Sequence, residues 1–422
     1  MVVSPYTTVT LNNRWGMDAS GMLPNIYCNH VPLEQLRRHP RFNSLPPPED
    51  LVLGDSAEYR LVRQDHETWD KLHAGMLTTG VLASGLGFYE SESVKRLRLP
   101  PSRASRDRLA AAMERLRQKP YLPPDHGASD AAMLNSAVVQ RWQSRCREPD
   151  DDVNQVIGRS QVTAGTARNT ARRLASLGLK GVGCAYGKVQ EASTLVELMS
   201  CFPNCTVQEA GLHMANPAHN GAAALPPMGA SPDGLLFRPV PDASERPESL
   251  TLSGEEVGQD GSPESSSGVW EVVEIKNVCP FGQSGSGLFT LKDMDPVWEV
   301  RAEWVPQLQF HMLCSGLSSA LLVSRSATRG LRVFRMPADE AYAGLMKHYI
   351  ARLWAAVRAG RRSLPANPWV REAKYQDLLR RTLMLARSAR VVAEHPGAQP
   401  LRGCTHLTRW FLDDGREGAA PS

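Results

Sequence analysis

The 422-residue sequence predicts an α/β fold in which a small mixed sheet is flanked by helices and preceded by an N-terminal helical extension. Short apolar segments rich in β-branched residues are typical of strands, and they occur at Trp270–Lys276, Ala320–Ser324 and Leu331–Met336. Apolar side chains at helical spacing predict an amphipathic helix over Ala338–Arg358. With 42% apolar residues, the chain can form a packed core around these elements.

Three regions are expected along the chain. Residues 1–60 have scattered Pro, Asn and Arg, which predicts an irregular N-terminal extension. Residues 61–360 carry the main helix and strand patterns and form the expected central domain. Residues 361–422 are expected to form a C-terminal extension with a helix over Arg371–Glu394, followed by a disordered tail rich in Gly, Ala and Pro.

The central domain contains one low-complexity insert, at residues 241–268. It is rich in Ser, Glu, Gly and Pro and has no aromatic residue, so it cannot bury enough surface to order itself. The apolar segments on either side, Leu235–Phe237 and Val269–Trp270, predict two strands of a hairpin with a lengthened turn. A long insertion there is tolerated because closure entropy grows only logarithmically with loop length.

Helices are expected ahead of this hairpin. Trp69 and Leu72 share one helical face, and the uncharged run 74–89 favours a buried helix. Residues 95–119 carry nine Lys or Arg against two acids, which indicates an exposed basic helix from Arg103 onward. Further helices are expected over 160–179, with a basic face, and over 187–202.

Bulk composition narrows the class of protein. A net charge of +4 excludes a polycation, so any basic surface must come from local clustering. No segment is long and apolar enough to span a bilayer, and the N-terminus lacks a secretory pattern. An intracellular protein is therefore expected, and the sequence does not distinguish the nucleus from an organelle. The eight cysteines lack regular spacing, which favours free thiols over a zinc or iron–sulfur site at Cys201 and Cys205.

The strongest chemical signal is a pair of segments on the predicted hairpin. In the second strand, Glu274 and Lys276 point to one face and Ile275 points to the other, because the side-chain period is two. Asp233 lies in a Pro-Asp-Gly turn before the first strand. Two carboxylates can hold a hard divalent cation, and an adjacent amine can orient or activate a water, as in metal-dependent nucleases. Both tripeptides are also common by chance as a turn and a surface ion pair.

Further motifs in the chain argue against a chance occurrence of these two tripeptides. A predicted helix brings a third carboxylate, Glu191. The ordered segments are Trp69–Gly80, Tyr186–Glu191, Gly229–Leu235, Glu274–Lys276 with Cys279-Pro280, and Trp304–Gln309. They resemble the lambda-exonuclease/YqaJ-like viral recombinase family of PD-(D/E)xK nucleases. That resemblance implies the family's restriction-endonuclease-like core and a DNA-cutting activity.

The resemblance also implies roles for individual residues. Asp233 and Glu274, with the backbone carbonyl of Ile275, would bind Mg²⁺ or Mn²⁺, and Glu191 would act through water or at a second metal position. Lys276 would lie beside the attacking water, with Gln307 helping to hold it.

The end-binding part of the pattern departs from the family. His73 and Gly80 stand where the family has an Arg and a Ser that grip a 5′-phosphate. His73, Thr78 and Ser231 remain candidates for contacting DNA. Arg325 belongs to an arginine cluster that fits a phosphate-contacting edge and an exposed loop equally well. The basic segment 95–119 likewise fits a solvated helix face and a surface that follows the DNA backbone equally well.

The resemblance therefore predicts a metal-dependent deoxyribonuclease, a double-strand exonuclease used in recombination or repair. Two alternatives stay open: a structure-selective endonuclease, and a member that binds DNA or protein without cutting. The expected partners are DNA and a single-strand-annealing recombinase, with no membrane. A ring-shaped trimer follows from the family resemblance alone.

Overall fold

A computed structural model of the chain describes residues 8–10, 30–51, 53, 56–120, 135–142, 180–215, 225–239, 268–283, 289–292 and 294–396. The predicted helix over 160–179, the insert from 241 to 267 and the tail beyond residue 396 lie outside the described residues. In the described ranges, no helix combines the length and the apolar character needed to cross a membrane.

The centre of the fold is a seven-stranded mixed sheet. Its strands, in spatial order, are β12 (Arg390–His395), β11 (Leu331–Pro337), β10 (Ser319–Ser326), β7 (Gly268–Val278), β6 (Gly234–Pro239), β3 (Thr206–Gln208) and β2 (Phe42–Asn43). The pairs β7–β10 and β2–β3 are parallel, and the other neighbouring pairs are antiparallel. The prediction of an α/β fold with a mixed sheet is confirmed.

Two smaller sheets complete the described strands. One pairs β4 (His213–Met214) with β5 (Gly229–Ala230), and the other joins β1 (Thr8–Thr10), β9 (Phe289–Lys292) and β8 (Phe281–Gln283) in that order.

Helices cover both faces of the central sheet. They are α1 (Leu33–Arg37), α2 (Glu67–Leu72), α3 (Thr79–Gly85), α4 (Ser91–Arg96), α5 (Asp107–Arg117), α6 (Glu191–Cys201), α7 (Val305–Ser315), α8 (Glu340–Arg358) and α9 (Ala373–Ser388). Residues 180–189 are also helical and lead into α6 through a turn at Gln190. The predicted helix over 187–202 is therefore the end of one helix and the whole of the next.

The predicted hairpin is confirmed by the pairing of β6 with β7. Phe237 lies opposite Trp270, and Gly234 lies opposite Val273. The backbone N–H of Asp233 donates to the carbonyl of Val273 at 3.0 Å, which extends the pairing to the turn before β6. This register brings the Pro-Asp-Gly turn beside the middle of β7.

The two faces of β7 and β10 belong to different hydrophobic cores. Val272 and Leu322 pack on the side of α7 and α8, whereas Val273 and Leu321 pack on the side of α6. Both faces are covered because a parallel pair at the centre of an α/β sheet is buried on both sides.

Three expectations about the flanking regions differ in part from the structure. Residues 1–60 are not irregular throughout, because α1 packs against α6 and β2 forms the edge of the central sheet. The helix expected over Arg371–Glu394 ends at Ser388, and the next residues form β12, which pairs with β11. The basic helix α5 is not simply exposed, since its apolar side is buried at Leu109, Ala112, Met113 and Leu116. In the first two cases long-range packing overrides the local pattern, whereas the buried side of α5 follows the helical spacing of its own apolar residues.

The cysteines in the predicted pair have different environments. Cys205 is buried at 3% exposure and Cys201 is half-buried, and both are free thiols. Burial raises the pKa of each thiol.

Candidate active site

The candidate site forms where the start of β6 meets the middle of β7. Glu274 and Lys276 share one face of β7, as predicted, and their side chains form an ion pair. The backbone N–H of Ile275 donates to Asp233 Oδ2 at 2.6 Å. This bond fixes the Asp233 carboxylate at the edge of the same strand, next to the pair.

Glu274 is held by three side chains. Its Oε1 accepts hydrogen bonds from Lys276 Nζ and from Gln307 Nε2, the latter at 2.6 Å. Lys276 Nζ also donates to Gln307 Oε1 at 3.1 Å, which closes a triangle between the three residues. The other oxygen of Glu274 lies 3.0 Å from His311 Nε2. The expected association of Lys276, Glu274 and Gln307 is therefore present.

His311 is the site residue that the sequence interpretation missed. It was set aside because the histidines are scattered along the chain, yet its side chain is fully buried against Glu274. One signal was available, because His311 follows Gln307 by four residues and residues at that spacing share a helix face. The 3.0 Å contact between His311 Nε2 and Glu274 indicates that His311 helps to position the Glu274 carboxylate.

Glu191 is the first residue of α6. A polar clamp holds this end of the helix against the sheet. Asn277 Nδ2 donates to the carbonyl of Gly187 at 2.9 Å, and Thr194 Oγ1 donates to Asn277 Oδ1 at 2.7 Å. Because Asn277 follows Lys276 directly in β7, the clamp sets the position of Glu191 relative to the site.

Arg325 belongs to the same clamp and lies neither on an exposed edge nor in an exposed loop, the two positions that the sequence left open. Only 5% of the residue is exposed. Its guanidinium donates to Gln190 Oε1 at 3.0 Å and to Glu197 Oε1 at 2.7 Å. A buried guanidinium with two internal acceptors ties α6 to β10.

Two of the other expected DNA contacts, Ser231 and His73, meet at Trp69. Its indole N–H donates to Ser231 Oγ at 3.0 Å, and its ring meets the ring of His73 edge-on at 3.9 Å between centroids. This contact brings the early Trp69–Gly80 motif to the turn that carries Asp233. Thr78 is the residue before α3, and 9% of its surface is exposed.

His73 is poorly suited to bind phosphate as a cation. The residue is 7% exposed, and its Nδ1 donates to the carbonyl of Trp69 at 2.5 Å. Burial lowers the pKa of the imidazole below its usual value, so the neutral form prevails at neutral pH. The expected role of His73 therefore loses its electrostatic basis, although Nε2 keeps its hydrogen-bonding capacity.

The three carboxylates affect one another electrostatically. Burial, followed by the charges of Glu274 and Glu191, raises the pKa of Asp233 well above its usual value. Burial also raises the pKa of Glu191 to about 7; Lys188 opposes this shift and Glu274 adds to it. Burial alone would raise the pKa of Glu274, but the charge of Lys276 and the contact with His311 outweigh it and lower that pKa to about 2.

Lys276 stays charged in this environment. Burial disfavours the ammonium, but the charges of Glu274 and Asp233 outweigh burial and raise the pKa of Lys276 above its usual value. The ammonium of Lys276 thus lies among three carboxyl groups, and that of Lys188 acts on Glu191. A further cation would offset the remaining repulsion.

The donor set suits a hard divalent ion. In the part of the chain that the structure describes, no three acidic, His or Cys side chains converge closely enough to hold a metal as they stand. Glu274 is instead engaged by Lys276, Gln307 and His311. Asp233 and Glu191 are only half-buried, however, and carboxylate oxygens are the ligands that Mg²⁺ prefers. The residues therefore fit such an ion by chemistry and by charge.

We expect Asp233→Asn to stabilise the protein in the absence of divalent ions. The amide keeps an oxygen for the Ile275 N–H and removes one of three mutually repelling carboxyl groups. The expected gain is about 1 kcal/mol, or roughly 2 °C in the unfolding midpoint, measured in EDTA. Millimolar Mg²⁺ or Mn²⁺ should raise the midpoint of the wild type and leave that of the variant unchanged. Equal responses of the two proteins to the ion would contradict a metal site at Asp233.

Comparison of the chain with family models, curated proteins and solved structures gives no match. The chemistry expected at the site therefore rests on the functional groups of its own residues. These groups are three carboxyl groups, the Lys276 ammonium, the Gln307 amide and the His311 imidazole, and they come from four separate segments of the chain.

Proposed function

We propose that the protein is a metal-dependent deoxyribonuclease that hydrolyses phosphodiester bonds in DNA. One observation carries the proposal. Asp233 and Glu274 are brought together on the β6–β7 hairpin, and Lys276 is bonded to both Glu274 and Gln307. Two neighbouring acids with a charged lysine beside them suit the hydrolysis of an anionic ester.

The proposed metal ligands are Asp233, Glu274, the carbonyl of Ile275 and, directly or through water, Glu191. When bound there, Mg²⁺ or Mn²⁺ would make hydroxide available near neutral pH and neutralise charge that develops on the phosphate. The hydrogen bond from the backbone N–H of Ile275 to Asp233 orients that carboxylate before any ion binds. Asp233 and Glu191 are each partly exposed to solvent.

Lys276 acts in this proposal as a charged hydrogen-bond donor. Its raised pKa keeps the amine protonated near neutral pH, so the side chain orients a water or a phosphate oxygen and does not accept a proton. Gln307 accepts from Lys276 and donates to Glu274, which fixes the relative positions of the two. Such fixed donors act before charge develops in the transition state and require no rearrangement.

Within this class we propose a double-strand exonuclease of recombination or repair, with DNA as the principal partner. An endonuclease is the second candidate, and a specific observation favours it. The imidazole of His73, at the position expected to grip a 5′-phosphate, is buried and bonded to Trp69. A neutral imidazole at position 73 provides no charge of its own to favour a terminal phosphate.

A panel of DNA substrates tests the proposal. Linear 5′-phosphorylated, linear 5′-hydroxyl and closed circular DNA are incubated with the purified protein in Mg²⁺, in Mn²⁺ and in EDTA. Loss of both linear forms with intact circles supports the exonuclease, and we expect no preference for the 5′-phosphate. Cutting of circles supports the endonuclease. Intact DNA in every metal-containing reaction would overturn the nuclease proposal in favour of a protein that binds without cutting.

A further inference from the structure

The most exposed large apolar side chain of the described residues is Trp298, at 73%. It lies in the segment between β9 and α7, and the guanidinium of Arg332 lies over its ring, 4.0 Å from the centroid. A cation on one face of an indole is a favourable contact that leaves the other face open. The remaining exposed apolar side chains of the described part, Met294, Met384 and Val391, have between 39% and 50% of their surface exposed.

The sheet register places this pair beside the candidate site. Lys276 on β7 lies opposite Ser324 on β10, and Ser324 lies opposite Arg332 on β11. Directly paired residues point to the same face of a sheet, so these three side chains form one row. Neighbouring strands are about 4.8 Å apart, which puts the backbone of Arg332 roughly 10 Å from that of Lys276.

Two bonds fix the segment that carries Trp298 to this row. The backbone N–H of Val297 donates to Ser324 Oγ at 3.0 Å. Arg332 Nη1 donates to the carbonyl of Val297, also at 3.0 Å. Arg332 is itself paired with Glu394 on β12. These bonds tie the backbone next to the indole to the central sheet.

Two cationic side chains also lie near the second indole of this segment, Trp304. The guanidinium of Arg301 lies 5.0 Å from the ring centroid of Trp304, and Lys276 Nζ lies 5.9 Å from the same centroid. Aromatic faces interleaved with Arg and Lys are the features that bind unpaired nucleobases and the phosphates between them. An apolar protein partner would instead need a contiguous apolar patch around the indole.

We propose that Trp298, backed by Arg332, is a stacking platform for an unpaired nucleobase of the DNA strand that enters the site. The proposal rests on the proposed nuclease function and specifies its substrate as DNA with a single-stranded or frayed segment. The separation of roughly 10 Å corresponds to about three stacked nucleotides, or fewer in an extended strand. The platform would hold the strand close to the bond that is cut.

The test compares full-length wild type, Trp298→Ala and Trp298→Phe, with Met384→Ala as a matched control for loss of an exposed apolar side chain. Binding of fluorescein-labelled oligothymidylate and of a blunt duplex is measured by anisotropy in EDTA at low salt. We expect Trp298→Ala to weaken oligothymidylate binding about 5- to 150-fold, with a smaller effect on the duplex. Trp298→Phe should retain most of the affinity, and Met384→Ala all of it.

The outcomes separate the platform from the nuclease. Unchanged oligothymidylate binding by a folded Trp298→Ala protein, together with wild-type DNA cutting, would overturn the platform alone. An equal loss for oligothymidylate and duplex would overturn the assignment to an unpaired base. A wild-type protein that neither binds nor cuts any of the DNAs overturns the proposed function itself. Thermal unfolding of each variant checks its fold, and Trp298→Phe, which keeps the ring packed on Arg332, serves if the alanine variant is unstable.

Discussion

Lys276→Ala and Asp233→Ala are each expected to abolish Mg²⁺-dependent DNA degradation while the protein stays folded. Lys276 is the one ammonium among the site carboxyl groups that is bonded to both Glu274 and Gln307, and no other group described there replaces its charge. Loss of one positioned donor reduces turnover by about 10²- to 10³-fold, and loss of a metal ligand removes the ion's contribution as well. Initial rates on linear duplex DNA measure the effect.

The fold should tolerate both changes. Lys276 keeps 24% of its side chain exposed, and Glu274 retains Gln307 and His311 after the lysine is removed. Lys374→Ala is the matched control, because Lys374 is exposed on α9, which supplies none of the site residues. Activity should fall in the site variants and not in this control. Wild-type rates in either site variant would remove that residue from the proposed mechanism.

Arg325→Ala is expected to lower the free energy of unfolding by about 3–5 kcal/mol, the largest stability effect we predict. The substitution leaves Glu197 as a buried carboxylate without its guanidinium partner, in a side chain that is 5% exposed. It also releases Gln190, the residue before Glu191 in the chain. Urea denaturation of the wild type and the variant measures the difference.

A double-mutant cycle gives the control for this prediction. The Arg325→Met/Glu197→Leu protein has no unpaired buried charge, so it should recover most of the lost stability. Arg380→Ala is the matched single control, because the Arg380 side chain is 79% exposed and its pair with Asp377 contributes little. Full stability of Arg325→Ala, combined with a loss of DNA binding, would instead restore the phosphate-contacting role that the sequence suggested.

The local pattern of the sequence determined the geometry within single elements. The period of two in β7 put Glu274 and Lys276 on one face, and their ion pair follows from that spacing. Apolar, β-branched segments specified β7, β10 and β11, and the segments flanking the insert specified the β6–β7 hairpin. These features depend on side-chain direction and propensity, which are properties of consecutive residues.

Contacts between distant segments were decided only by the tertiary structure. His311 meets Glu274 because α7 packs across β7, and Arg325 turns inward because α6 covers the opposite face. In the same way, β12 forms because the edge of β11 was free to pair with it. A sequence specifies which faces are apolar but not which faces meet, since the match is set by packing the whole core at once. The acids and the lysine could thus be found from the chain alone, whereas the residues that hold them in place could not.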